Sequence, residues 1–533
     1  MAGSQDCGTP DFDVVIVGGG HNGLVAAGYL ARAGLRVRLL ERLGHTGGAA
    51  VSAQAFDGVE VRVSRYSYLV SLLPSSIVAD LGAPVRLARR RLSSYTPDPA
   101  TAGHSGLLVG SQRGHAFDAV GAAGDEPGFA EFYRRCRLVT ERLWPTLLEP
   151  LRTRQQARHH VLEAGDSDAA AAWRAMVDEP IGHAIAAAVS NNLVRGVIAT
   201  DALIGTFASL DDRSLLQNIC FLYHIIGGDW DVPIGGMGAV TAALAAAAVR
   251  HGTEIITDAE VYAIDPNGQV RFRSGDDEYL IRGRFVLAGV TPAVLAGLLG
   301  ERPPQLAQGA QVKVNMVLRR LPRLRDDNVT PEQAFSGTFH INETRTQLDA
   351  AYSRATAGQL PDPLPCEAYC HSLTDPSVLS AGLRGSGAQT MTVFGLHTPH
   401  SLVSDSSDSD AFRQQLTESV LTSLNSVLAE PIQEVLMADA HGRPCIETTT
   451  TLDLQQSLRM TAGNIFHGAL SWPFAEDDDA LDTPARQWGV ATAHERIMVC
   501  GSGARRGGAV SGIGGHNAAM AVLAAYERES MPR

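Results

Sequence analysis

At 533 residues, with 45% hydrophobic and 19% charged side chains, the chain is long enough for two domains and apolar enough to exclude an intrinsically disordered protein. Its formal charge of -13 excludes nucleic acid or an anionic membrane surface as an electrostatic partner. Seven cysteines without regular pairing point to a reducing, cytoplasmic setting, and no apolar run approaches the length, about 18 residues, of a membrane span.

Residues 1–11 read as a flexible N-terminus, with neither the basic start nor the apolar block of a signal peptide. Residues 13–41, DVVIVGGGHNGLVAAGYLARAGLRVRLLE, read as strand, glycine turn, helix, strand and terminal acid. Gly18, Gly20 and Gly23 stand at GxGxxG spacing, which predicts a βαβ dinucleotide site. The first glycine allows the tight turn, the second lets backbone approach a pyrophosphate, and the third lets the helix lie close on its strand. The free N–H groups and dipole at the helix N-terminus favour the anion, and Glu41 is placed to accept from ribose hydroxyls. Arg42 and the second glycine pair, Gly47 and Gly48, follow at once, where the chain passes the cofactor again.

Further along, residues 49–64 predict an extended pair around Asp57 and Gly58, and a largely apolar stretch runs over 66–81. The basic run at 86–91 reads as a solvated face. Residues 128–230 repeat apolar positions three and four apart, which predicts a helical cap. Glycines 235, 236 and 238 then lead into an amphipathic helix, followed by short strands to about 288. From 305 to 490, strand-like segments and a helix over 410–428 predict an antiparallel sheet with helices. The acidic loops at 404–410 and 476–479 read as solvated, so no metal site is expected. Cys366 and Cys370 read as ordinary buried thiols.

Near the C-terminus, IMVCGSGARRGGAVSGIGGHNAAMAV predicts a strand at 497–500, a glycine-dense turn and a helix. A remote segment of this kind fits FAD, a cofactor long enough to need its flavin end held elsewhere. The predicted fold is α/β. A discontinuous Rossmann-type FAD-binding domain spans 12–80, 231–304 and 491–530, and an α+β substrate or cap domain spans 81–230 and 305–490.

The turn with its His21-Asn22 pair, the segments ERLGHTGGAAVSAQAF, PIGGMGAVTAALA and GNIFHGALS, and the closing CGSGARRGGAVSGIGGHNAA resemble the bacterial-type phytoene desaturase flavoproteins. Within that family they are most similar to the branch of pyridine nucleotide-disulfide oxidoreductase domain-containing protein 2. The resemblance covers nearly the whole chain and implies FAD. The cofactor-binding set is Gly18, Gly20, His21, Asn22, Gly23, Glu41, Arg42, Gly47, Gly48, Val261, Gly501, Ser502, Gly507, Gly508 and Gly512. Dithiol chemistry is not expected, since no cysteine follows Gly48 closely and no second complete fingerprint is present. One departure is Arg505-Arg506-Gly507-Gly508-Ala509, where the family commonly has His-Pro-Gly-Gly-Gly. It predicts either two added cations near the flavin or two solvated side chains.

A flavin supplies the redox chemistry, so little acid–base equipment is expected. Lys313, the only lysine in the chain, lies on a strand resembling the one that presents a lysine to a flavin-bound water in flavin amine oxidases. His467 is a second catalytic candidate; His340, His371 and His397 also titrate. The expected activity is dehydrogenation or isomerisation of a small lipophilic, polyene or isoprenoid-like substrate, with oxygen or a quinone as electron acceptor. The apolar stretches at 66–81 and 185–207 would line the pocket or touch a bilayer peripherally. Two alternatives are a flavin amine oxidase, disfavoured by the 6% aromatic content, and a flavin-carrying regulatory protein with little turnover.

Overall fold

The computed structural model describes residues 10–110, 117–163, 165 and 167–530; most of the expected flexible N-terminus, residues 1–9, lies outside them. Two seven-stranded sheets organise the chain. The first is built on β1, Phe12–Val17, whose Val14, Val15 and Ile16 are fully buried on both faces, as a central parallel strand requires. The strand β2, Val37–Leu40, lies parallel on one side and Asp277–Ala288 parallel on the other. Ile497–Val499 adds a further parallel strand beside Asp277–Ala288. The first half of that long strand instead pairs antiparallel with Gln269–Ser274, which continues to Glu260–Ile264. Three separated stretches of sequence therefore share one sheet.

Between β1 and β2 runs the helix α1, His21–Arg32, buried from Asn22 to Ala31. Its lack of a polar face follows from its position. The helix Met237–Arg250 packs on one flank and the C-terminal helix Ile513–Ser530 on the other, so close that a Cβ on Gly515 would lie 2.0 Å from the Asn22 carbonyl oxygen. The first and last stretches of the chain are thus in contact.

The second sheet runs in the order Ile446–Thr449, Gln311–Leu318, Gln389–Leu396, Cys366–Tyr369, Thr338–Ile341, Ser94–Pro97, Gly106–Val109. A helical layer over 126–225 packs around Trp173, Val139 and Phe221 and closes the space above it. The architecture is mixed α/β with a Rossmann-like domain, as the spacing predicts.

The extended pair around Asp57 is present as Ser52–Ala53 against Val63–Ser64. Cys366 and Cys370 are buried free thiols. The basic run differs from expectation in one member. Arg86, Arg89 and Arg91 are exposed, whereas Arg90 turns inward and donates to the Trp230 carbonyl at 3.0 Å and to Thr338 Oγ1 at 2.9 Å. Among the described residues no helix is long and apolar enough to cross a membrane.

Candidate active site

A cavity of about 440 Å³ runs from the turn after β1, past the loop at 501–510, to the helical layer. At the turn, Gly18 takes φ 104°, and a Cβ on Gly23 would stand 2.2 Å from the Gly18 carbonyl oxygen, so both glycines are dictated by the backbone. Gly20 is different. A Cβ there would meet nothing within 4 Å, because it would project into the cavity. The N-terminus of α1 has no side-chain cap, leaving its N–H groups for an anion. Glu41 ends β2 and accepts from the N–H groups of Gly19 at 2.7 Å and Leu43 at 2.8 Å, which fixes the turn against the second strand. Val261 and Arg42 line the same end, and the Arg42 guanidinium is held by the Ser457 carbonyl.

Midway along, Gly48 lies against Gly20, and Gly501, Ser502, Gly507 and Gly508 supply the facing wall. Asn22, whose Nδ2 reaches Ser502 Oγ at 3.5 Å, ties the two walls. His21 and His467 also line the cavity. Burial, then the neighbouring His467 imidazole, holds His21 down at about 4; burial alone holds His467 at about 4. Both are neutral. His21 Nε2, Asn22 Oδ1 and His467 Nδ1 are buried with no protein partner among the described residues, as polar atoms are when a ligand is to meet them. The uncapped helix, the open Cβ direction at Gly20 and these three atoms together fit a dinucleotide.

The far end is aromatic. Tyr68 stacks parallel to Trp230 at 6.3 Å and tilts on Phe394 at 4.6 Å, with Tyr223 and His224 beside them. The 6% aromatic content gave no sign of this, because a chain average does not register local concentration. His224 Nε2 stands 3.1 Å from Asp201 Oδ1, whose other oxygen accepts from the Tyr133 hydroxyl at 3.3 Å. Behind Tyr369, Glu367 accepts from Thr200 and Tyr369 while His340 meets Glu343 at 2.7 Å. These residues form a buried polar cluster beneath an apolar lining. Sequence reasoning singled out only His340 of this group; a histidine or acid inside an apolar segment carries no mark of what it will face.

Several expected residues lie elsewhere. Gly47 and Gly512 do not line the cavity. Gly47, at φ 122°, donates its N–H to the Gly19 carbonyl, and Gly512, at φ 74°, packs against Val25, Leu73 and Ile77. Lys313 does not line the cavity either. It is 4% exposed, on a strand paired on both sides, and its Nζ donates to the carbonyls of Ser64 at 2.7 Å and Ser67 at 3.0 Å, behind the cavity wall. Burial lowers it to about 7. Arg505 and Arg506 take neither predicted direction. Arg505 donates to the Phe474 carbonyl, and Arg506, 1% exposed, donates to those of Thr146, Glu149 and Trp488. Their charge serves to pin the loop to the helical layer. Of the apolar stretch at 185–207 only Ile204 reaches the cavity, whereas Tyr66 to Leu69 and Leu72 do so from the earlier stretch.

The model of the NAD(P)-binding Rossmann-like domain matches residues 16–76. An uncharacterized protein of Mycobacterium tuberculosis, Rv0897c, is 75% identical over 96% of this chain and 97% of its own length. Pyridine nucleotide-disulfide oxidoreductase domain-containing protein 2 of Rattus norvegicus is a distant homologue, 28% identical over 98% of this chain and 95% of its own length. Among solved structures, the cyclohexylamine oxidase of Brevibacterium oxydans superposes with a TM-score of 0.55 at 15% identity, over 98% of this chain and 100% of that one. The fold is that of the flavin-dependent oxidoreductases.

Proposed function

This chain belongs to the family of the mycobacterial protein Rv0897c, and from that premise we propose that it is an FAD-dependent oxidoreductase acting on a lipophilic substrate. The observation that carries the reading is the single cavity joining an anion-binding glycine turn to a wall of tyrosine, tryptophan and phenylalanine. A nicotinamide cofactor held only at residues 16–76 would not need the cradle at 501–510. FAD, whose pyrophosphate Gly18, Gly20 and the α1 N-terminus would hold, is long enough to use both. The lining beyond, including Leu72, Ile204, Ile465 and Leu470, favours an apolar, polyene or isoprenoid-like molecule of the kind the phytoene desaturase resemblance implies.

When bound, the flavin supplies a two-electron acceptor that takes a hydride. The chain's own residues do the remainder. Glycines 18, 20 and 48 admit the cofactor, the aromatic wall orients the substrate and excludes water, and the neutral imidazoles of His21 and His467 offer hydrogen bonds without adding charge. Lys313 holds the wall segment at 64–67 through the carbonyls of Ser64 and Ser67, and through that segment it would tune reactivity toward hydride or oxygen. A second reading, an amine oxidase, is favoured by the same aromatic wall, since aromatic faces accept a cation. Anaerobic mixing of the yellow protein with isoprenoid alkenes and with primary amines separates the two. Bleaching of the flavin band by an isoprenoid supports the lead reading and bleaching by amines supports the second. A band that persists with every compound points to a flavin-carrying regulatory protein.

A further inference from the structure

The helix Leu216–Ile225, LQNICFLYHI, is buried over most of its length, and its last turn brings His224 to the cavity wall. Opposite, Asp201 lies in the short turn Thr200–Ala202 that follows the helix Asn192–Ala199. Around it the helical layer is apolar, with Phe132, Phe221 and Leu222 nearly or fully buried. A carboxylate withdrawn into such surroundings costs several kcal/mol unless it is paired and hydrogen-bonded. Here the Tyr133 hydroxyl donates to one oxygen at 3.3 Å, and His224 Nε2 stands 3.1 Å from the other. A carboxylate on one ring nitrogen, with the imidazole on a substrate cavity, is the arrangement that fixes a tautomer and leaves the other nitrogen free to take a proton.

Resting on the oxidoreductase reading, we propose that His224 is the catalytic proton acceptor of the reaction and that Asp201 positions it. Removing two hydrogens from a substrate breaks two bonds. One hydrogen leaves with its electron pair as hydride to the flavin, and the other leaves as a proton while its bonding pair forms the new double bond. His224 Nδ1 takes that proton. The resulting imidazolium is stabilised through Nε2–H by the Asp201 carboxylate, and the proton later returns to solvent.

The groups facing the pair set when it works. Burial pushes Asp201 up to about 7, opposed by His340, the Tyr133 hydroxyl and Arg90, while burial holds His224 down at about 4, opposed by Glu367 and aided by Arg90 and His340. Asp201 in turn raises Glu343 and Cys220, and Cys136 raises the Tyr133 hydroxyl that bonds Asp201. As the pH falls through about 7, Asp201 takes a proton and its hold on Nε2–H is lost. Proton acceptance is therefore present above that pH and fades below it.

Two measurements test this without knowledge of the substrate. Diethyl pyrocarbonate, which acylates neutral accessible imidazoles, is applied to the protein with and without flavin and read by peptide mass spectrometry. His224 is expected to react; if it stays unmodified while the exposed His45 and His441 react, it cannot reach a substrate and the proposal is overturned. A fluorinated phenol is then bound to the flavin-loaded protein and its ionisation read by fluorine NMR. The expectation is ionisation above solution level in the wild type, a fall of about tenfold or more in H224F and H224Q, and a shift of the pH midpoint in D201N. Equal ionisation in all variants, an un-ionised phenol in the wild type, or failure of the phenol to enter would each overturn the assignment. A protein that stays colourless with added flavin defeats the oxidoreductase reading instead, and the labelling of His224 still reports on the pair.

Discussion

Two neighbouring glycines of the nucleotide turn illustrate how residues that look alike in a motif are kept for different reasons. Inside α1, exchanging glycine for alanine ordinarily gains up to about 1 kcal/mol of helix propensity. At Gly23 the new Cβ would stand 2.2 Å from the Gly18 carbonyl oxygen, a backbone atom that cannot swing aside, and overpacking of this kind costs about 1–3 kcal/mol. The clash wins, and G23A should lower the urea midpoint even of flavin-free protein. Gly20 has φ -68° and no atom within 4 Å of its Cβ direction, so G20V should leave flavin-free stability within about 0.5 kcal/mol yet yield protein that purifies without flavin. If G20V retained a full yellow complement, the turn would not be where the pyrophosphate lies.

At the scale of elements, the strand Gln311–Leu318 does more than fill a sheet. It lies between Gln389–Leu396 and Ile446–Thr449, so Lys313 cannot reach solvent, and its ammonium is bonded to the Ser64 and Ser67 carbonyls of the wall segment. Burial lowers it from 10.5 to about 7. Between those two values the unfolded chain binds a proton that the folded one does not, so folding stability rises with pH across this window. The advantage is complete above 10.5 and lost as the pH falls to about 7. In K313M that rise should vanish, while the unsatisfied carbonyls loosen the segment at all pH values. Unfolding free energies of the two proteins between pH 7 and 10 would show it. Unchanged flavin reduction and reoxidation rates in K313M would remove the tuning role.

What could be read in advance follows from whether a residue's task is local. The turn at Gly18, Gly20 and Gly23, with α1 and Glu41, is legible because each glycine answers to backbone within a few positions of itself. The strand at 497–499 is legible for the same reason. Adjacent arginines at 505 and 506 declare a charge but not a direction, and only the packing shows Arg506 spent on three carbonyls. Tyr68, Asp201 and His224 come from three distant segments that meet at one wall, and no spacing along the chain records that meeting. Across the whole molecule, the N- and C-terminal stretches form one body around the cavity, with Gly515 against Asn22 and Asn22 reaching Ser502. A ligand bridging these walls binds the folded state only, so it must add RT ln(1 + [L]/Kd), about 2.7 kcal/mol at a hundredfold excess over Kd. Adding FAD to flavin-free protein should therefore raise the melting temperature by several degrees. Riboflavin, lacking the pyrophosphate that the α1 N-terminus is built to meet, should raise it far less, and NAD or NADP should leave it unchanged. A larger shift with either nicotinamide cofactor than with FAD would mean that the glycine turn serves a cofactor ending short of the loop at 501–510.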